Sequence, residues 1–166
     1  MILRKIEYKD VPLMLEWMKD QSITDNFKID FSQFSEDDVK KFVDTSYQDH
    51  EKHYAIVNET DEYLGTISLK HIDLVDLDAE YAICLRKKAQ GTNVAYQATK
   101  ELIEYGFNQL GLNKIYLNVL TENIRANKFY LKFGFKFDKL ENDVIIKGVK
   151  KELNWYYMTR SEYENH

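Results

Sequence analysis

Apolar residues in this chain switch repeatedly between a spacing of two and a spacing near 3.6, with almost no punctuation between the switches. A period of two puts alternate side chains on one face of a strand, and a period of 3.6 stacks them along one side of a helix. One proline, Pro12, and six glycines among 166 residues leave little room for a linker or a domain boundary. No repeat or low-complexity tract interrupts the alternation. Elements of this kind must bury their apolar faces against one another, so the expected product is one layered α/β domain over residues 1–166.

The pattern reads in order as follows. Ile2, Arg4, Ile6 and Tyr8 alternate like a strand, and Asp10 is placed to cap a helix from Val11 to Lys19 with Pro12 in its first turn. Ser35, followed by Glu36 and Asp37, starts a second helix through Val39, Phe42 and Val43. Strands follow at His53 to Val57, Tyr63 to Ile72 and Ala79 to Leu85. A longer helix runs from Asn93 to Leu110, with Val94, Ala95, Ala98, Leu102, Ile103 and Gly106 as its apolar stripe and Gly111 at its C-terminal cap. Lys114 to Leu120 is a strand, Ile124 to Phe133 a helix stopped by Gly134, and Phe135 to Asp143 and Lys147 to Thr159 two final strands. The order is β-α-α-β-β-β-α-β-α-β-β.

Composition removes several classes of function. Twenty-three basic against 28 acidic residues give a net charge of −5, a poor match to a phosphate backbone, so no nucleic-acid partner is expected. The same charge suits a cationic or amine-bearing substrate and also serves ordinary solubility. With Cys84 as the only cysteine, neither an intrachain disulfide nor a thiolate metal cluster can form, and no metal is expected. No apolar run approaches the roughly 20 residues of a membrane span, and Met1 to Lys5 lacks the apolar segment of a signal peptide. A cytoplasmic location with no membrane contact is the expectation.

Chemistry is concentrated where one strand hands over to the longest helix, at Leu85-Arg86-Lys87-Lys88-Ala89-Gln90-Gly91-Thr92-Asn93-Val94-Ala95. A strand end, a polar loop with a glycine and a helix start together aim N–H groups and a helix dipole outward, an arrangement that suits phosphate. Lys87 and Lys88 add positive charge. By itself the segment is equally an ordinary turn, and it carries neither a Walker loop nor a dinucleotide fingerprint. Downstream, Asn123 is placed to cap a helix whose stripe holds Ala126, Tyr130 and Phe133; Tyr130 lies seven residues on, two turns later on the same face. Spacing alone also allows Asn123 to be a plain cap and Tyr130 a core aromatic.

Together these segments resemble the GNAT superfamily of acetyl-coenzyme A-dependent N-acetyltransferases. Gln90 to Ala95 is similar to the family's Gln/Arg-x-x-Gly-x-Gly/Ala pyrophosphate loop, with Asn93 in place of the central glycine. Asn is the non-glycine residue that best tolerates left-handed backbone angles. Val119 to Phe135 resembles the family's V-x-x-x-N-x-x-A-x-x-x-Y-x-x-x-G-F run at the expected distance downstream. The resemblance implies a mixed, mostly antiparallel twisted sheet of about seven strands flanked by about four helices. It also implies direct acetyl transfer to an amine in a ternary complex.

Site roles are implied in the same way. Ile83, Cys84 and Leu85 would offer backbone groups to the pantetheine arm. Gly91, Thr92, Asn93, Val94, Ala95 and Tyr96 would hold the pyrophosphate, with Gln90 beside them. Asn123 would touch the coenzyme, and Tyr130 would protonate the departing thiolate. A phenol with an ordinary pKa near 10 stays protonated at neutral pH yet can donate to sulfur. Glu80 is the candidate base, with a solvated strand residue as the alternative; His53 and His71 are weaker candidates. Within the superfamily the chain resembles the branch of ribosomal-protein, spermidine and nucleotide-sugar acetyltransferases. There the first helix around Trp17 and the Phe27 to Phe34 segment shape the acceptor site, although Trp17 fits the core equally well. Asp20, Asp25 and Asp30 suit a polyamine no better than a sugar amine. A coenzyme-binding sensor without turnover is the alternative function. Trp155-Tyr156-Tyr157 fits either a homodimer contact or a buried edge of the monomer.

Overall fold

The computed structural model describes residues 2–165 and brings the candidate site residues to a split in a seven-stranded sheet. The elements in chain order are β1 (Leu3–Lys5), α1 (Val11–Met18), α2 (Gln21–Thr24), α3 (Glu36–Asp44), β2 (Lys52–Val57), β3 (Tyr63–Asp73) and β4 (Asp78–Leu85). They continue with α4 (Val94–Glu104), β5 (Lys114–Leu120), α5 (Ile124–Phe133), β6 (Lys136–Ile146), β7 (Val149–Thr159) and α6 (Arg160–Glu164). Strand order is β1-β2-β3-β4-β5-β7-β6, and every neighbouring pair is antiparallel except β4 with β5. That parallel pair needs a crossover, which α4 supplies. The sheet is thus mixed and mostly antiparallel, as expected.

Each face of the sheet has its own helical cover. On one face Leu102, Ile103 and Phe107 from the α4 region and Tyr130 from α5 pack on Ile67, Tyr81, Leu117 and Tyr156. On the other, Val11, Met14 and Trp17 of α1 and Val39 of α3 pack on Ala55, Tyr63 and Cys84. Successive strand residues point to opposite faces, so Tyr81, Ile83 and Leu85 belong to the α4 side and Cys84 to the α1 side.

Several expectations are corrected in detail. Asp10 does not cap α1; its carboxylate accepts from the Glu7 amide at 2.9 Å and holds Arg4 by two bonds of 2.8 Å. The α-helical part of the long helix stops at Glu104 and continues as a wider π turn over Tyr105–Gln109. The last two strands form a longer hairpin than expected, because Lys147 and Gly148 (φ 51° and 79°) make its turn. Two short helices, α2 and α6, join the four that periodicity reveals. The aromatic run lies inside the sheet, since β7 sits between β5 and β6. Tyr156 is core, whereas Lys139 covers the Trp155 ring and Lys114 that of Tyr157.

Candidate active site

The split between β4 and β5 is created by where their pairing ends. Only Asp78–Lys114, Ala79–Ile115 and Glu80–Tyr116 are in register, and beyond Glu80 the two strands part. Residues 81–85 stay paired with β3, as far as Gly65 opposite Leu85, but among the described residues have no strand partner on the β5 side. A strand edge with one side open can pair with any extended chain of amides. The close approach of β3 here depends on Gly65, where a Cβ would lie 2.3 Å from the Cys84 carbonyl oxygen. Ile83 and Leu85 turn toward the α4 side, and Cys84 is buried on the other, where desolvation pushes its thiol well above the ordinary range.

Loop residues 86–93 are held by Arg86. Its amide donates to the Leu64 carbonyl at 2.8 Å, and its guanidinium reaches Glu62 at 2.9 Å, the Tyr63 carbonyl at 2.9 Å and Glu16 at 3.1 Å. Gln90 donates to the Leu85 carbonyl at 3.3 Å, tying the loop back to β4. Gly91 takes the left-handed conformation at φ 77°, whereas Asn93 is right-handed at φ −79°. The glycine-like backbone expected at Asn93 is therefore carried by Gly91, two residues earlier. The Asn93 side chain makes no cap hydrogen bond, and Thr92 Oγ1 accepts from the Val94 amide at 3.3 Å. Among the described residues the Asn93, Ala95 and Tyr96 amides donate to no acceptor.

The charge at this loop differs from the expectation. Lys88 is engaged by Glu62 at 2.9 Å, and Lys87 faces Asp20 at 3.8 Å. Lys88 and then Arg86 hold the Glu62 carboxyl down at about 2. The cation that faces Gly91 is Arg125 of α5: a Cβ added at Gly91 would lie 2.8 Å from its Nη2. Sequence reasoning did not single out Arg125. Its one local signal is its place in the first turn after Asn123.

Tyr130 is 7% exposed and sits beside Tyr81 of β4, with ring centroids 5.7 Å apart. Burial pushes its phenol well above the ordinary value, with a smaller opposite effect from hydrogen bonding to Tyr81. Tyr81 is itself fixed by a 2.8 Å bond to Thr99 of α4. Asn123 caps α5 by accepting from the Ala126 amide at 3.3 Å. Asn127, also unforeseen, donates to the Leu120 and Asn123 carbonyls at 3.0 and 2.8 Å. Its oxygen accepts from Asn154 at 2.9 Å and Tyr156 at 2.6 Å. The helix bearing Tyr130 is thereby locked to β5 and β7.

Glu80 occupies the last paired position before the split, with Lys70 Nζ 3.4 Å away and its side chain 15% exposed. Alternation puts it on the face opposite Tyr81. The two histidines lie elsewhere. His53 is buried against Ser68 (2.6 Å) and Phe42, and His71 is exposed at a bulge of β3. Trp17 is core: it is 5% exposed, donates to Tyr63 Oη at 2.9 Å and packs edge-on against Phe27 and Phe31. Asp20 and Asp30 act as caps, accepting from the Ser22 and Ser32 amides at 3.0 Å. The hairpin turn closes over this region, as Lys147 donates to the Thr24 carbonyl of α2 at 2.8 Å.

The sheet thus splits between two parallel strands, with a helix start at one end of the split and a buried tyrosine beside it. A sequence model of the Acetyltransferase (GNAT) domain matches residues 1–136, and the chain belongs to this family of N-acetyltransferases. It is 30% identical, over 97% of its own length and 93% of the other's, to an uncharacterised N-acetyltransferase of Bacillus licheniformis. It is 28% identical to the spermidine N(1)-acetyltransferase of Vibrio cholerae, over 69% of this chain and 67% of that one. In fold it matches a crystal structure of a Vibrio cholerae spermidine N-acetyltransferase in complex with CoA and spermine. That match has a TM-score of 0.90 and 23% identity, and covers 98% and 97% of the two chains.

Proposed function

We propose that this chain transfers an acetyl group from acetyl-coenzyme A to the primary amine of a small cationic acceptor, with an aliphatic polyamine as the favoured class. The observation that carries the reading is the open β4 edge at residues 81–85, which runs straight into a loop with free amides at 93, 95 and 96. An amide-bearing arm fits the edge by strand-like pairing, and a diphosphate fits the loop, where Gly91 leaves room that a Cβ would fill. The names of the spermidine-acetylating relatives and the net charge of −5 support a cationic acceptor.

When bound, acetyl-coenzyme A supplies a thioester, an acyl group already activated toward a neutral amine. In this reading the residues of the chain do the rest. The backbone at Ile83, Cys84 and Leu85 orients the pantetheine arm, and Gly91, Thr92, Asn93, Val94, Ala95 and Tyr96 seat the diphosphate, with Gln90 and Asn123 at its borders. Burial keeps the Tyr130 phenol protonated at neutral pH; its hydroxyl gives that proton to the departing thiolate and is restored by the proton that the acceptor nitrogen sheds as the amide forms. Glu80, on the opposite face of β4, receives the proton that the acceptor's ammonium must lose before it can attack. Acid and base thus stand on opposite sides of one strand, which suits direct transfer between two ligands meeting at the split.

The test is coenzyme release from acetyl-coenzyme A with spermidine, spermine, amino sugars and peptide N-termini as acceptors. Turnover with polyamines at the highest kcat/KM is the expected result. Turnover confined to peptides or sugar amines overturns the polyamine assignment, and no turnover with any of them overturns the whole reading.

A further inference from the structure

A diphosphate carries more negative charge than three backbone amides and a helix dipole answer comfortably, so a coenzyme loop of this type needs a cation. The two lysines that the chain places in the loop do not face it freely. Lys88 lies 2.9 Å from Glu62, in the same cluster that engages Arg86, and Lys87 is opposite Asp20 at 3.8 Å. Arg125 is the exception. It is exposed, has no ion pair or hydrogen bond among the described residues, and its guanidinium rests against Gly91. A Cβ at this position would stand 2.8 Å from Nη2 and 3.9 Å from Cζ, close enough that the flexible end of Arg125 would have to move aside. The left-handed φ of 77° at Gly91 is one that side-chain-bearing residues rarely adopt, so the backbone calls for glycine here.

We propose that Arg125 is the cationic clamp of the coenzyme diphosphate, closing from the first turn of α5 onto the Gly91 loop at the start of α4. A guanidinium suits this role because its planar fork can give two parallel N–H bonds to phosphoryl oxygens, which an ammonium cannot. The arrangement also has a structural consequence. Arg125 and Tyr130 lie on the same helix, which Asn127 locks to the sheet. The group that grips the diphosphate and the proposed acid at the thioester end are thus fixed relative to one another by one rigid element. The inference rests on the acetyl-coenzyme A reading of the site.

Calorimetric titration separates the two ideas. Wild type, Arg125→Gln and Arg125→Lys, each checked for an unchanged melting temperature, are titrated with coenzyme A, 3′-dephospho-coenzyme A and S-acetylpantetheine. The expected result is about a ten-fold weaker Kd for both nucleotide ligands in Arg125→Gln, a smaller loss in Arg125→Lys, and no change for S-acetylpantetheine. The loss should also shrink as salt is raised. An unchanged Kd for coenzyme A in Arg125→Gln overturns the clamp while leaving the cofactor reading intact. A loss seen with coenzyme A but not with the 3′-dephospho form overturns the diphosphate assignment and places Arg125 on the 3′-phosphate. Failure of the wild-type chain to bind coenzyme A overturns both.

Discussion

At the scale of single residues, the site depends on groups whose surroundings differ sharply. Tyr130 is buried among Tyr81, Phe129, Phe135 and Tyr156, and this burial favours the uncharged phenol more than the Tyr81 hydroxyl favours the charged one. Replacing it with Phe removes one oxygen and leaves the ring packing in place. Tyr130→Phe is expected to lower kcat by about 10²–10⁴-fold, the usual worth of a positioned acid, with the Kd for coenzyme A changed less than about two-fold. Steady-state kinetics alongside calorimetry checks this, and an unaltered kcat removes Tyr130 as the acid. Asn93 contrasts with it. Because its φ is −79° and its side chain caps nothing, Asn93→Gly relieves no strain. Stability should fall by only a few tenths of a kcal/mol, about the cost of Gly at an N-cap, and coenzyme binding should be kept. A clear loss of coenzyme affinity would show that the Asn93 side chain has a partner in the complex.

At the scale of elements, the placement of Tyr130 and Arg125 depends on how α5 is attached. Asn127 satisfies two carbonyls and accepts from two side chains, so it joins the helix to β5 and β7 at once. Asn127→Ala takes the acceptor from the Asn154 amide and the Tyr156 hydroxyl, while the two carbonyls keep their backbone donors, and is expected to cost about 2 kcal/mol, or about 4–8 °C in Tm for a chain of this size. A Tm within about 1 °C of wild type would show that the network contributes little in solution. The same helix shows what the sequence makes legible. Its limits, Asn123 and Gly134, are local signals, because an Asx cap and a glycine stop act on neighbours in the chain. The loop from Gln90 to Ala95 is legible for the same reason, although the left-handed residue within it turned out to be Gly91 and not position 93. Arg125 and Asn127 were not legible. Their importance comes from Gly91, Asn154 and Tyr156, which are distant in sequence, and an exposed Arg on a helix looks the same whether or not a loop lies beneath it. The short helices α2 and α6 span too few residues for a period to emerge. The hairpin turn was missed because Lys147 is an unusual residue at a positive φ.

At the scale of the whole molecule, stability should depend on pH through a group remote from the split. His53 of β2 is buried between Phe42 of α3 and Ser68 of β3, so it sits where the α3 layer meets the sheet. Desolvation lowers its pKa below the ordinary value of about 6.5; Glu51, 3.3 Å from Nε2, acts in the opposite direction, and Lys70 adds to the lowering. The folded state therefore holds the neutral ring more tightly than the unfolded chain does. Above about pH 6.5 both states are neutral at this position and nothing is lost. As pH falls below that value the unfolded chain gains a proton that the folded one resists, and stability declines. The depressed carboxylates of Glu62, Asp61 and Asp20 act in the same direction, but only below about pH 4.5, where unfolded carboxyls begin to protonate. The two windows can be told apart by urea unfolding at pH 7.5, 6.5, 5.5, 4.5 and 3.5. Wild type should lose stability between pH 6.5 and 5.5, whereas His53→Gln should be less stable at pH 7.5 yet nearly flat across that interval. Parallel curves for the two proteins would mean that the imidazole titrates alike in both states, and that burial of His53 is relieved before it is protonated.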